Sequence, residues 1–356
     1  MRPSLTVDTG AIAANWRKLG QTHGAPAAAV VKADAYGLGA AMVAPALLEA
    51  GARHFFVAQL EEAVALRPLL PGATIAVLNG FAAADADAYL AHDLFPVLGC
   101  LPEIEAYARL ARASNRVLPA LLHVDTGMNR LGLSACDLAG VAENAQGVAW
   151  QYIMTHLVSA ECPEDPINAA QRARFEHACA MHPGVPRSLA NSSGIFLGPA
   201  FRSDLARPGA ALYGINPTPG RPNPMRPAMR LSAPVLQLRA IGEGEAVGYN
   251  ASWIAQRPTI VATIALGYAD GYHRAVGRGM HPQAAFDRTR LPLIGRVSMD
   301  LLTFDATDVP ALAPGDMLEL IGPAVPPDEV AGWAGTNGYE VLTSLGHRAH
   351  RRTGAL

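Results

Sequence analysis

Ala27-Ala28-Ala29-Val30-Val31-Lys32-Ala33-Asp34-Ala35-Tyr36-Gly37 is the stretch that decides how this chain is read. Small and β-branched residues run without a break into a lysine, the pattern of a strand buried on both faces of a parallel sheet. Lys32 falls where that strand should end, and Gly37 and Gly39 open the chain before the next helical pattern. A lysine there can reach across the mouth of a sheet. Lysine is also scarce: of 28 lysines and arginines, only Lys18 and Lys32 are lysine. Only a primary amine can form a Schiff base, because a guanidinium stays protonated.

Outward from this strand the pattern repeats. A short strand at 5–7 precedes Asp8 and Thr9, either of which can cap a helix running to about Leu19. Strands are expected near 28–31, 54–58, 74–78, 94–98, 118–124, 150–155, 187–190 and 204–206. Helical patterns lie between them, near 40–50, 61–69, 84–92, 102–113 and 168–181. Eight such units predict an α/β chain opening with a closed (β/α)8 barrel in preference to an open sheet. After Gly214 the texture changes. Residues 216–234 are rich in proline and are expected to form an irregular linker, followed by β-branched runs at 260–266, 291–295 and 317–321. The expected organisation is a barrel over 8–222 and a mostly-β C-terminal domain over 223–356, with the N-terminal strand 1–7 pairing into it.

The totals exclude several classes. Of 356 residues half are hydrophobic and 16% charged, which argues against disorder. A net charge of −2 and the lack of a basic, aromatic-interleaved stripe argue against a nucleic-acid partner. The N-terminus lacks the apolar core of a signal peptide, and no apolar run approaches a membrane span. Cys100, Cys136, Cys162 and Cys179 show no Cys-x-x-Cys spacing, so no zinc site, other metal site or disulfide framework is expected, and a reducing cytoplasm is. The basic run from His347 to Arg352 reads most simply as a solvated tail.

In a (β/α)8 barrel the site lies at the C-terminal ends of the strands. Those ends carry Lys32 and Tyr36; Asp125 to Arg130; His156; Asn191-Ser192-Ser193-Gly194; and Arg207-Pro208-Gly209-Ala210. Each has an ordinary explanation: His156 as a core histidine, Ser192 as a cap, Arg207 as a rim ion pair, the glycines as turns. Together they place an amine, a phosphate seat and a planar cation in one mouth. That set fits pyridoxal phosphate, which needs a Schiff-base lysine, phosphate donors and a partner for its ring nitrogen. The β-rich part adds Gly248-Tyr249-Asn250, Gly267-Tyr268-Ala269-Asp270-Gly271 and Ser298-Met299-Asp300, which also read as hairpin chemistry.

These motifs, with Val31-Lys32-Ala33-Asp34-Ala35-Tyr36-Gly37, Asp125-Thr126-Gly127-Met128-Asn129-Arg130, Thr155-His156 and Asn337-Gly338-Tyr339-Glu340, resemble the alanine racemase family from end to end. The resemblance implies a barrel, a β domain and a head-to-tail homodimer with shared active sites. It implies that Lys32 holds pyridoxal 5'-phosphate covalently, that Tyr36, Ser192, Tyr339 and the backbone near Gly209 and Ala210 hold its phosphate, and that Arg207 faces its ring nitrogen. Arg130 and the Met299 backbone would receive the alanine carboxylate, with Tyr268 and Asp300 in support. Lys32 and Tyr249 of the partner subunit would be the two bases, and His156 would link Tyr249 electrostatically to Arg207. A broader or serine-preferring racemase and a non-catalytic cofactor carrier are the alternatives; the second domain and Tyr249 argue against the carrier. One departure stands out: many family members carry a carbamylated lysine seven residues before the carboxylate-binding arginine, and this chain has His123 there. Arg130 is therefore expected to be oriented without a carbamate, and a His123 in contact with it should have a pKa below the usual value of about 6.5.

Overall fold

A computed structural model describes residues 2–277 and 280–356. Met1, counted above with the N-terminal strand, lies outside the described residues, as do Arg278 and Gly279 of the expected second domain. Strand β1 (Ser4–Val7) is followed by β2 (Ala29–Val30), β3 (His54–Val57), β4 (Thr74–Val77), β5 (Leu94–Leu98), β6 (Leu118–His123), β7 (Val148–Met154) and β8 (Arg187–Ser188). Strands β2 to β8 pair in parallel in sequence order. Helices such as Thr9–His23, Ala40–Ala50, Leu101–Ala113 and Pro166–Ala180 return the chain between strands.

The expected eighth strand at 204–206 is not a regular ladder. It is reduced to one parallel bridge, Ala27 to Ala206. Backbone bonds still close the ring. On one side the Leu205 N–H donates to Arg187 O (3.2 Å) and the Arg207 N–H to Ala190 O (2.8 Å). On the other the Ala28 N–H donates to Ala206 O (2.8 Å) and the Val30 N–H to Pro208 O (3.1 Å). Pro208 has no N–H to extend the ladder. Inside the ring, Val30, Phe56, Ala76, Val97, Leu121, Met154 and Leu205 form a packed plug, so the barrel is filled below its mouth.

The second region is built on β9 (Met229–Ile241). The strand starts inside the segment expected to be an irregular linker up to 234, which is a correction. Pro234 is tolerated within it because the sheet changes partner there: residues 229–232 pair with β1, and from Val235 onward the neighbour is β12 (Thr259–Ile264). A hairpin of β10 (Ala246–Val247) and β11 (Trp253–Ile254) projects before β12. Strands β13 (Gln283–Phe286), β14 (Thr289–Pro292), β15 (Leu302–Asp305), β16 (Met317–Ile321) and β17 (His350–Thr353) complete the sheet in the order β14-β13-β16-β9-β1-β17, with β12 and β15 attached through β9. The basic run 347–352 is therefore not a solvated tail. Its second half pairs in parallel with β1, Ser4 opposite His350 and Val7 opposite Thr353. Among the described residues no helix is long and apolar enough to cross a membrane.

Candidate active site

Lys32 leaves the end of β2 and enters an unusual turn. Ala33, Asp34, Ala35 and Tyr36 all have φ between 52 and 55°, a left-handed helical turn made without glycine. For L-residues this conformation costs roughly 1–2 kcal/mol each, so the surroundings must impose it. Glu62 does part of this: its carboxylate accepts the Ala33 N–H (2.5 Å) and also the N–H groups of Ala58 (2.8 Å) and Gln59 (3.1 Å). Asp34 reaches the other way and accepts the Ala40 N–H at 2.7 Å. Gly37 ends the turn at φ 81°, its N–H donating to Ala33 O at 2.7 Å. The turn aims Lys32 and Tyr36 into the same space.

That space is a cavity of about 470 Å³ at the barrel mouth. Lys32, Tyr36, Arg130 and His156 line it, and so do Ser192, Arg207, Gly209, Ala210 and Tyr339. Tyr339 comes from the helix Gly338–Thr343, after the β strands have begun, so the barrel mouth is completed by the C-terminal part of the chain. Burial lowers the Lys32 pKa, Arg130 lowers it further, and Glu62 opposes them.

One side of the cavity is a hydroxyl seat. Ser192 Oγ accepts the backbone N–H groups of Gly209 (3.0 Å) and Ala211 (3.2 Å). Its own proton is thereby left to donate into the cavity, whereas the Gly209 N–H is engaged by Ser192. Tyr36 packs on Tyr213 with ring centroids 4.9 Å apart. Burial pushes its hydroxyl up to about 12, so it remains a donor at neutral pH. Gly209 has no side chain because a Cβ there would collide with the Tyr36 Oη.

Another part of the lining is cationic. Arg207 is 5% exposed and has no carboxylate partner among the described residues. One terminal nitrogen donates to Ser188 O (2.7 Å) and Ser188 Oγ (2.6 Å), and the other donates to Thr155 O. Burial lowers its pKa to about 10, which still leaves it charged at pH 7. His156 is held down to about 3 by burial, then by Arg207, Arg130, Lys32 and His123, so it is a neutral imidazole.

Arg130 is presented by the loop after β6. Asp125 Oδ1 accepts the N–H groups of Gly127 (2.9 Å) and Met128 (2.9 Å), folding the loop back on itself. Gln171, buried on the helix Pro166–Ala180, joins this loop to the next one, donating to Thr126 Oγ1 (3.1 Å) and His156 O (3.0 Å). His123, the last residue of β6, does not line the cavity. Its pKa is lowered to about 4, chiefly by burial and then by Arg207, with Arg130 a lesser cause. No His123–Arg130 hydrogen bond exists among the described residues, so the contact on which the expected lowering depended is absent and burial is its main cause.

Four candidates from the β-rich part do not join this cavity. Tyr249 is 70% exposed at the tip between β10 and β11, Met299 is 54% exposed, and Tyr268 is 40% exposed. Asp300 pairs with Arg348 at 2.8 Å. Sequence reasoning passed over Glu62, Gln171 and Ser188. Glu62 had a signal, since Gln59-x-x-Glu62 has the spacing of a capping box; the other two act through long-range contacts that no local pattern encodes.

A barrel mouth with one depressed amine, a hydroxyl seat and an unpaired buried guanidinium, joined to a β domain, marks an enzyme of the barrel-plus-β-domain class built for an anionic carbonyl ligand. The family profile described as "Alanine racemase, N-terminal domain" matches residues 7–217, and "Alanine racemase, C-terminal domain" matches residues 228–353. A protein of Acidiphilium cryptum named "Alanine racemase" is 53% identical over 98% of this chain and 98% of its own length. One of Mesorhizobium japonicum named "Alanine racemase, catabolic" is 47% identical, over 98% of this chain and 92% of its own. The crystal structure of alanine racemase from Bartonella henselae with covalently bound pyridoxal phosphate superposes with a TM-score of 0.93 at 41% identity, covering 99% of both chains. The chain belongs to the alanine racemase family.

Proposed function

We propose that this protein interconverts L- and D-alanine, with pyridoxal 5'-phosphate held by Lys32, as a head-to-tail homodimer in which Tyr249 of the partner subunit completes the site. The carrying observation is that Lys32, Ser192 and Arg207 line one cavity. Its residues fit the cofactor. The depressed amine of Lys32 suits a carbonyl, Ser192 and Tyr36 offer hydroxyl donors to a phosphate, and Tyr339 is on the same wall. The Arg207 Nε makes no hydrogen bond to the described residues, so a donor remains for the ring nitrogen.

When bound, the cofactor supplies a carbonyl that captures the substrate amine and a conjugated ring that acidifies the Cα–H. The chain's own residues then decide the outcome. Arg130 receives the substrate carboxylate as a planar cation, with the Met299 backbone of the partner subunit beside it. Racemisation needs a proton taken from one face of Cα and returned on the other. Lys32 Nζ holds it on one face, and the Oη of Tyr249 of the partner subunit holds it on the opposite face. Both groups start near 10 in free peptides, and burial with Arg130 lowers Lys32 toward use. Arg207 donates a hydrogen bond without surrendering a proton at neutral pH, which moderates electron withdrawal and limits side reactions. The exposure of Tyr249, Tyr268 and Met299 in one chain supports their burial against a second copy. The same reading takes 8–222 as the barrel and 223–356 with strand 1–7 as the β domain, supported by the pairing of β1 with β9 and β17. It also places the protein in the cytoplasm, where its free thiols stay reduced.

The experiment is direct. The purified, cofactor-loaded protein should convert either alanine enantiomer to the racemate, followed by circular dichroism. Tyr249→Phe should keep the cofactor absorbance band and impair Cα-hydrogen exchange unequally for the two enantiomers. A loaded protein without interconversion would refute the activity, and equal, wild-type exchange in Tyr249→Phe would refute the role of Tyr249.

A further inference from the structure

Arg351 belongs to β17, opposite Leu5 of β1, in the basic run that sequence alone leaves as surface charge. Its guanidinium is turned inward. One terminal nitrogen donates to Gly37 O, the residue that ends the left-handed turn of Lys32 and Tyr36. The other donates to Leu345 O (3.3 Å) and Gly346 O (3.2 Å), the segment following the helix Gly338–Thr343 that carries Tyr339. No carboxylate pairs with it among the described residues. One planar cation therefore joins two segments that each deliver a tyrosine to the cavity. Their contact is close: a Cβ on Gly37 would strike Leu342 O. Gly346 in turn donates its N–H to Asp270 O at 2.9 Å, which ties in the loop carrying Tyr268.

We propose that Arg351 is a positioning residue of this site, clamping the turn that bears Lys32 against the helix that bears Tyr339. The proposal rests on the cofactor reading given above. The left-handed turn is held from the barrel side by Glu62 and Asp34, and Arg351 holds its far end from the β-rich side. Lysine cannot replace it, since a point charge cannot meet carbonyls on two segments with a rigid fork. Arg130 lies on the loop folded by Asp125, which Arg351 does not touch, so substrate capture should be largely unaffected.

The test compares the dimeric wild-type protein with Arg351→Lys and Arg351→Gln, two variants so that one suffices if the other does not fold. Arg352→Lys is the control, because the Arg352 Nε donates to Thr6 Oγ1 (3.1 Å) away from the site. Cofactor-free protein is titrated with pyridoxal phosphate by absorbance, and kcat and KM for alanine are measured separately. The expected result in a folded Arg351 variant is a cofactor Kd raised at least tenfold and a kcat lowered at least tenfold, with KM changed less than threefold and Arg352→Lys unchanged. Wild-type Kd and kcat in a folded variant, even with a lowered melting temperature, would overturn the proposal by reducing Arg351 to a structural contact. Failure of the wild-type protein itself to bind the cofactor would instead refute the functional reading beneath it.

Discussion

Gly209→Ala is the sharpest probe of the hydroxyl seat. The backbone at Gly209 has φ −123° and ψ −88°, outside the left-handed region, so the substitution acts through space. The new methyl would fall on Tyr36 Oη and lie 3.1 Å from its Cζ. Tyr36 cannot easily retreat. Its ring lies on Tyr213, which is fully buried and donates to Val30 O at 2.8 Å. Overpacking of this kind costs about 1–3 kcal/mol. If that strain falls on the cofactor-bound state, then at tenfold per 1.4 kcal/mol the affinity for pyridoxal phosphate drops roughly 5- to 150-fold. The assay is an absorbance titration of cofactor-free protein. Gly332→Ala is the control, since nothing lies within 4 Å of a Cβ there. Combining Gly209→Ala with Tyr36→Phe should make the glycine change less damaging, because the hydroxyl it strikes is gone. A folded Gly209→Ala protein with wild-type cofactor affinity would refute the placement of Tyr36 and Gly209 in the seat.

Two further outcomes follow from the electrostatics. Glu62→Gln removes the charge that raises the Lys32 pKa, so the pKa falls further, and the pH midpoint for cofactor association should move down while the urea midpoint also falls; an upward or unmoved association midpoint would contradict the pairing. His123 at about 4 and His156 at about 3 are neutral in the folded chain, against about 6.5 unfolded. Their contribution is fully present above about pH 6.5 and is lost as pH falls through about 4 for His123 and about 3 for His156, because the unfolded chain takes up protons the folded one refuses. Urea midpoints of the cofactor-free protein at pH 7 and pH 5 should differ less in His156→Asn than in wild type, and an identical difference would remove His156 from this account.

The barrel was legible because strands such as His54–Val57 and Thr74–Val77 are short, largely buried apolar runs between helical patterns, and Lys32 was legible through its scarcity. The eighth strand was over-read: residues 204–206 have the right composition, but Pro208 and the Gly209 turn leave room for only a bridge. The left-handed turn was not legible at all. Ala33 and Ala35 have no local preference for positive φ, and the conformation is imposed by Glu62 from the helix Leu60–Leu66 and by Arg351, 314 residues on from Gly37. The basic C-terminal run misled for the same reason, since charge content says nothing about a strand partner 346 residues away. Tyr249 and Met299 were found as motifs, and a single chain leaves them outside the cavity, because their proposed place needs a second copy.

The pairing of β1 also bears on how the chain comes to be folded. Residues 4–7 are made before every other strand of their sheet, yet they lie between β9 and β17, whose last residue is Thr353. At a synthesis rate of about 5–20 residues per second, a nascent β1 waits on the order of tens of seconds for its second neighbour. Until β17 emerges, β1 keeps one edge unpaired beside Leu5 and Val7, both fully buried in the finished protein. The barrel elements can assemble ahead of it, but the sheet that carries the Arg351 clamp can close only after β17 itself has emerged. The newborn protein would thus have most of its cofactor cavity before it has the restraint on the lysine's turn, so the order of assembly runs from pocket to precision.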